Sequence, residues 1–95
     1  MIDISSKEAA RLVFTALANK NIEPVKEAFA YWNEKSIKEF YGLELLELGK
    51  SFKSGTYPGE FVPYKIKLPN GKIKVHNIAL RNDNKNKVWI VDGGL

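Results

Sequence analysis

Residues 61–75 decide the fold, because they read FVPYKIKLPNGKIKV and contain the clearest turn in the chain. Apolar and lysine side chains alternate on both sides of Leu68-Pro69-Asn70-Gly71, as expected of two strands joined by a turn. Proline fixes φ early in this turn, and glycine is free to take positive φ. The segment therefore predicts an antiparallel β-hairpin.

The register of this hairpin depends on the length of its loop. A four-residue loop sets Ile66 opposite Ile73 and Lys67 opposite Lys72, whereas a three-residue loop sets Ile66 opposite Lys74. A slip of one residue moves every side chain to the other face, so the matching of hydrophobic residues favours the four-residue loop. That register places four lysines on one face of the hairpin: Lys65, Lys67, Lys72 and Lys74.

Two further strands are predicted, one before the hairpin and one after it in the chain. Residues 43–53 lose helical spacing and carry leucines of both parities, which predicts a partly covered strand, although a helix over 43–48 also fits. Residues 88–91 are apolar at every position and predict a strand buried on both faces that includes Trp89. The apolar parity changes along the second hairpin strand, which predicts a β-bulge near His76-Asn77 and a bend in the sheet.

Three helices are predicted before the first strand. The first begins at Ser5, whose hydroxyl forms a capping box with Glu8, and it ends at the polar residues 19–21. Helices first and an antiparallel sheet after them make an α+β domain. The chain has 95 residues, which suit a single domain over 1–95 because so short a chain cannot support two separate cores.

The second and third helices follow from spacing and caps. Apolar residues recur at helical spacing from Val25 to Trp32, and Pro24 suits the first position of that helix. A capping box at Ser36 begins a short third helix, and Gly42 is placed to end it in the left-handed conformation. The predicted order is therefore helix, helix, short helix and four strands.

Composition excludes several classes of protein. With 44% hydrophobic and 27% charged residues the chain is neither disordered nor membrane-spanning. No apolar run approaches the roughly 20 residues that a bilayer crossing needs. The absence of cysteine excludes disulfides, thiolate nucleophiles and sulfur-rich zinc sites. No signal peptide is visible, so a cytoplasmic protein and a truncated extracytoplasmic domain both remain open.

The element order and the closing segment 87–94, KVWIVDGG, resemble the nuclear transport factor 2-like superfamily, and in particular its small bacterial members of unknown function. The resemblance implies the cone-shaped version of the cystatin-like fold, with a curved four-stranded sheet around the first helix and a cavity that holds a ligand or active site in enlarged members. Enzymes of that superfamily use buried acids with a tyrosine, or an Asp and His pair. The aspartates here, Asp3, Asp83 and Asp92, lie near termini or turns. The Gln-x-Val-x-Gly hairpin of the cystatin inhibitors is missing, which argues against protease inhibition.

Few residues offer catalytic or metal-binding chemistry. His76 is the single histidine, so a metal site would need carboxylates, and Asp83 lies beyond the strand. If the bulge turns His76 into the cone, partial burial would make it a possible acid or base. Glu44 and Glu47 either pair across a site or face solvent. No phosphate loop, nucleophile elbow or zinc-protease motif occurs. We therefore predict no catalytic residue, metal or cofactor.

Binding chemistry has several candidates. The hairpin lysines either attract an anionic partner or guard the sheet edge against aggregation, and the lack of a stacking motif beside them argues against nucleic acid. One alternative is that an exposed sheet face with Tyr64 or Trp89 forms a homodimer interface. Four aromatic residues either line the mouth of a pocket or pack in the core: Tyr31, Trp32, Phe40 and Tyr41.

The sequence therefore predicts a noncatalytic module that binds a small ligand or a protein partner, with His76, Tyr41 and Trp32 as ligand-binding residues. One alternative is a small cone-fold enzyme that uses His76 with a glutamate. The other is anion or nucleic-acid binding through the hairpin lysines, Lys65, Lys67, Lys72 and Lys74.

Overall fold

Helices occupy the first part of the chain and an antiparallel sheet the second, which confirms the predicted α+β class. The computed structural model describes residues 4–95, so Asp3 lies outside the described part. No helix in that part has the length and apolar character needed to cross a membrane. The helices are α1 (Ser6–Ala18), α2 (Glu23–Lys26) and α3 (Glu34–Ile37), which continues as a 3₁₀ turn over Lys38–Phe40. The strands are β1 (Glu44–Leu48), β2 (Glu60–Lys67), β3 (Ile73–Arg81) and β4 (Ile90–Gly93), in the order β1-β2-β3-β4.

Helix α1 begins where the sequence supplies its cap. The Ser5 hydroxyl accepts a hydrogen bond from the Glu8 backbone N–H at 3.1 Å, which confirms the predicted start of the helix. One face of α1 is apolar and packs on one side of the sheet, called the inner face below. The buried residues of that helix face are Ala9, Ala10, Val13, Phe14 and Leu17.

The core lies between α1 and the inner face of the sheet. The ring centroids of Phe14 and Tyr64 are 4.8 Å apart at its centre, and both side chains are buried. The inner face contributes further buried side chains, which are Val62, Ile66, Ile78, Leu80 and Val91. Side chains therefore occupy the space between the first helix and the sheet, where the resemblance implied a cavity in enlarged members.

The predicted second helix is wrong in extent, because α2 ends at Lys26. Beyond it the backbone pairs with the edge of β4 instead of continuing as helix. The Val91 N–H donates to the Ala28 carbonyl at 2.6 Å, and the Ala30 N–H donates to the Val91 carbonyl at 2.9 Å. These bonds satisfy backbone groups of residues 28–30, which would otherwise need the hydrogen bonds of a further helical turn.

Helix α3 also begins earlier than predicted. The Asn33 side chain accepts hydrogen bonds from the backbone N–H groups of Lys35 and Ser36, so Asn33 is the N-cap and Ser36 lies inside the helix. An asparagine that satisfies two orphan donors is at least as good a cap as a serine. Gly42 has a φ of +89°, which confirms the predicted left-handed end of this segment.

The predicted hairpin register is wrong by one residue. Ile66 lies opposite Lys74 and Lys67 lies opposite Ile73, as the three-residue loop requires. The Leu68 N–H bonds the Lys72 carbonyl at 2.8 Å, and Gly71 has a φ of +88°. A positive φ at the third loop residue is typical of three-residue hairpin loops, so the local turn geometry prevails over side-chain matching.

This register divides the four lysines between the two faces of the hairpin. Lys65 and Lys67 lie on the face away from α1, called the outer face, opposite Val75 and Ile73. Lys74 lies on the inner face opposite Ile66, and Lys72 has the same parity. The prediction that all four lysines share one face was therefore wrong.

Strand β3 has no bulge at His76-Asn77, because its pairing with β2 is unbroken from Ile73 to Leu80. The parity of its apolar residues changes for another reason. Ile78 and Leu80 face the core, whereas Ile73 and Val75 lie on the exposed outer face beyond the reach of α1. The register shifts of the sheet are in β1 and β4 instead.

The first strand is shorter than predicted, and the last strand has the predicted length but begins two residues later. Strand β1 covers Glu44–Leu48, so the strand interpretation of this segment is confirmed over the helical one. Strand β4 starts at Ile90, and Trp89 precedes it with a buried side chain. The Trp89 Nε1–H donates to the Ile4 carbonyl at 2.7 Å, which ties the end of the chain to the segment before α1.

One buried polar contact joins α1 to the sheet. The Ser6 side chain is almost fully buried, and its hydroxyl donates to the Glu60 carboxylate at 2.6 Å. A hydrogen bond to a charged group contributes about 1.5–3 kcal/mol. We expect Ser6→Ala to lower the free energy of unfolding by that amount, as measured by urea denaturation. Ser54→Ala, at an exposed loop position, is the control, and equal stabilities of the two variants would contradict this role of Ser6.

Candidate ligand-binding cleft

A cleft of about 200 Å³ lies between the segment that leads into α3 and the end of β4. Its walls are mainly apolar and aromatic, with a few polar groups at the side. The aromatic lining comes from Phe29, Tyr31, Trp32 and Phe40; the aliphatic lining comes from Ile37, Val91 and Leu95; Asn33, Ser36 and Asp92 add polar groups. This composition is typical of small-molecule sites, although the volume is small for one.

Backbone pairing with β4 positions the aromatic wall. Phe29 forms a parallel bridge with Val91, so the chain that follows runs beside the end of β4. Asn33 then caps α3 and turns the chain back, which places Ile37 and Phe40 on the facing side. The cleft forms because α2 ends at Lys26, earlier than predicted. If the helix continued to Trp32, residues 29–33 would not lie beside β4.

Trp32 lines the cleft and carries a polar group, its indole N–H, that needs explanation. Its indole Nε1 is buried and has no hydrogen-bond partner among the described residues. The Phe29 ring meets the indole edge-on at a centroid distance of 5.2 Å, and the Lys26 ammonium lies 5.5 Å from the ring centroid. A buried donor without an acceptor costs about 1–3 kcal/mol, so an acceptor that reached this group would restore that free energy.

The three residues predicted to bind a ligand have different positions. Trp32 lines the cleft. Tyr41 is not part of the lining; it packs against the core, and partial desolvation together with the Glu34 carboxylate raises its pKa. His76 is exposed on the inner-face side of β3, with its ring centroid 6.4 Å from that of Tyr64. The structure therefore does not bring the three residues together.

The acid and histidine candidates lie on different faces of the sheet. Glu44 and Glu47 are exposed on the outer face, opposite Lys67 and Lys65, whereas His76 lies on the inner face. Within residues 4–95 no group of three histidine or acidic side chains is placed to hold a metal ion. The geometry offers no pairing of His76 with either of these glutamates.

Sequence reasoning missed a polar network beside β4. The Tyr57 hydroxyl donates to Asp92 at 3.0 Å, and Arg81 forms two hydrogen bonds to Asp83 while its Nη1 lies 3.8 Å from Asp92. Burial and the bond to Asp92 raise the pKa of Tyr57 to about 12. Hydrogen bonding to Arg81 lowers the pKa of Asp83, and the same contact raises the pKa of Arg81. All four groups are satisfied by one another, so the network fixes the loop before β2 against β4.

The residues predicted for a dimer interface are buried in the core. Trp89 is buried, and the Tyr64 hydroxyl donates to the Gly94 carbonyl at 2.6 Å. Burial raises the pKa of Tyr64 to about 12. The choice of these two residues for a sheet-face interface was therefore wrong, because both belong to the inner side of the sheet.

A second groove, of about 470 Å³, lies between the end of α2 and the loop before β4. It is larger than the cleft, but exposed polar side chains form much of its lining, including Glu27, Lys85 and Asn86. These side chains are free to move into solvent, so the groove lacks the fixed apolar walls that a ligand site needs.

Comparison with protein-family models, with curated proteins and with solved structures finds no match to the chain.

Proposed function

We propose that this chain is a noncatalytic binding module whose small ligand occupies the cleft beside Trp32. The observation that carries the proposal is the buried indole N–H of Trp32, which has no acceptor among residues 4–95 and belongs to a side chain of the apolar wall. Proteins rarely leave such a donor unpaired, and an unpaired one calls for an explanation. A ligand that supplies an acceptor is the explanation we favour.

The cleft indicates the chemistry of that ligand. A volume of about 200 Å³ fits one ring or a short chain, and a lining that includes Trp32 and Phe40 favours an apolar or aromatic body. A carbonyl or ether oxygen on that body would accept the indole hydrogen bond after a small adjustment of the segment 29–33. We therefore propose a flat, mainly apolar ligand with one hydrogen-bond acceptor.

A matched pair of probes tests this chemistry. Acetophenone carries a carbonyl acceptor, and α-methylstyrene has the same shape with a methylene group in its place. We expect the wild-type chain to bind acetophenone about tenfold more tightly in ligand-observed NMR, because only the ketone satisfies the indole donor. Equal affinity of the two probes, or no binding of either, would contradict the proposal.

The two tryptophans supply a matched pair of variants. Trp32→Phe removes an unpaired donor, so it should abolish the preference for acetophenone. Trp89→Phe removes a donor that bonds Ile4, so it should lower stability by about 1 kcal/mol more than Trp32→Phe and leave the preference intact. Thermal and urea unfolding measure the stabilities. The donor argument is wrong if Trp32→Phe keeps the preference.

Membership of the nuclear transport factor 2-like superfamily remains a proposal, and so does association into a homodimer. The enzyme alternative has less support, because His76 lies on the face opposite to Glu44 and Glu47. Anion binding by four lysines together also has less support, since the hairpin divides them into two pairs.

A further inference from the structure

Strand β3 has an open edge at its beginning. It runs from Ile73 to Arg81, but β4 pairs with it only from Ala79 onward. The backbone of Gly94 lies against Asn77 and Ile78 and closes the edge there. Within the described part of the chain, residues 73–76 therefore have β2 on one side and no strand on the other, and we call them the open edge.

The hydrogen-bonding direction of each residue in the open edge follows from the ladder. Phe61 exchanges both backbone hydrogen bonds with Phe52 on the β1 side. The backbone N–H and C=O groups of the odd-numbered residues of β2 therefore point toward β1. Bonding alternates along an antiparallel pair, so the even-numbered Lys74 and His76 bond to β2. The N–H and C=O groups of Ile73 and Val75 consequently point outward from the open edge.

The side chains of the open edge are sorted by type, and three of the four are exposed. Lys74 is half-buried, with its ammonium 5.1 Å from the ring centroid of Phe40. Val75 is 70% exposed and Ile73 is 51% exposed, and both lie on the outer face. Lys74 and the exposed His76 lie on the inner face, and Lys72 precedes them with the same parity. The edge is thus apolar on one face and basic on the other.

Charge decides which partner fits this edge. The chain has no acidic residue between Glu60 and Asp83, and its formal net charge is +4. Antiparallel pairing of two copies about Val75 would set Lys74 of one copy opposite His76 of the other and bring two basic hairpins together. Lysines on an edge commonly oppose such pairing, but they favour a strand with acidic side chains.

We propose that the open edge binds an extended acidic segment of a partner protein, which adds to the sheet as a strand beside β3. Its backbone pairs with Ile73 and Val75, its acidic side chains lie beside Lys72 and Lys74, and alternate apolar side chains cover Val75. This site adjoins the cleft at Phe40, which lines the cleft and lies beneath the Lys74 ammonium, but it does not depend on the proposed ligand.

Amide hydrogen exchange tests the proposal with a defined probe, the peptide acetyl-Thr-Glu-Val-Glu-Val-Glu-Thr-amide. In the free chain the amides of Ile73 and Val75 should exchange quickly, while those of Lys74 and His76 are protected. Saturating peptide should slow exchange at Ile73 and Val75 about tenfold or more, because their donors become bonded. Unchanged exchange at these two amides would overturn the proposal.

Two double variants distinguish specific recognition at the open edge from non-specific attraction between opposite charges. Lys72→Gln with Lys74→Gln and Lys65→Gln with Lys67→Gln each lower the formal net charge from +4 to +2. We expect the first pair to weaken peptide binding about tenfold and the outer-face pair less than about threefold. An equal loss of peptide affinity in the two double variants would mean that the peptide binds by non-specific charge attraction, and it would overturn the proposal.

A backbone variant tests the pairing itself. Val75→Pro removes an N–H that has no partner within the described chain, so the fold should persist and the peptide should no longer bind. If that variant unfolds, a probe peptide with N-methylated valines gives the same test on the wild-type chain, and undiminished binding of it overturns the proposal. Protection of Ile73 and Val75 that grows with protein concentration alone would show a second copy at the edge instead, and would also overturn it.

Discussion

Replacing Phe14 by alanine is expected to lower the free energy of unfolding by about 3–5 kcal/mol, the usual cost of truncating a buried phenylalanine. The side chain is fully buried, and its ring packs against that of Tyr64 at the centre of the core. A domain of this size has about 5–15 kcal/mol of stability in total, so the variant should retain a small part of it. Urea denaturation followed by far-ultraviolet circular dichroism measures the loss.

Leu12→Ala is the control for this prediction. Leu12 belongs to the same helix but is 48% exposed, so its truncation should cost less than about 1 kcal/mol. Similar losses at the two positions would mean that the space between α1 and the sheet is not tightly filled, and the interior cavity implied by the family resemblance would then have to be considered again.

Gly59→Ala is expected to cost about 3 kcal/mol or more, at the upper end of what overpacking costs. Gly59 is buried, and a Cβ atom there would overlap the backbone carbonyl oxygen of Leu80 and lie 2.7 Å from a ring carbon of Tyr57. The backbone of β3 cannot give way without breaking the ladder that it forms with β2. The melting temperature and the urea midpoint should both fall.

Gly55→Ala separates this steric effect from the effect of backbone conformation. Gly55 has a φ of +60°, and no atom of the described residues lies within 4 Å of an added Cβ atom. Alanine there pays only for the left-handed conformation, about 1–2 kcal/mol. If Gly55→Ala proved as destabilising as Gly59→Ala, the account in which Gly59 packs closely against Leu80 of β3 would be wrong.

The parts of the fold that local chemistry determines were predictable from the sequence. Ser5 caps the first helix because its hydroxyl reaches a free amide one turn later. Gly42 ends the third helical segment because glycine tolerates positive φ. The same property of glycine indicated a turn within residues 68–71, so the existence of the hairpin followed from the sequence although its loop has three residues and not the predicted four.

The parts that depend on competition between distant segments were not predictable. The apolar spacing from Val25 to Trp32 suits a helix, but the edge of β4 offers the backbone of residues 28–30 other partners. The hairpin register depended on Gly71 and not on the matching of Ile66 with Ile73. The extent of α2 depends on contacts with residues far along the chain, and the hairpin register depends on backbone geometry. The spacing of hydrophobic residues indicates neither.

The candidate site was predicted only in part. Trp32, which was predicted to bind a ligand, lines the cleft, as suits an amphipathic aromatic residue. Tyr41 and His76 were predicted with it, but Tyr41 packs on the core, and His76 is exposed on the inner face near the start of β3, outside the cleft. The exposure of Val75 could have been inferred from the parity change in β3, which we interpreted as a bulge.

The central claim is that a ligand binds in the cleft beside Trp32 and not between α1 and the sheet. Methyl NMR spectra recorded during a titration with acetophenone test it most directly. We predict that the methyl resonances of Ile37, Val91 and Leu95, which line the cleft, shift together with a single affinity. Shifts confined to the interior methyl groups of Val13, Leu17 and Ile66, or no shifts at all, would contradict the claim.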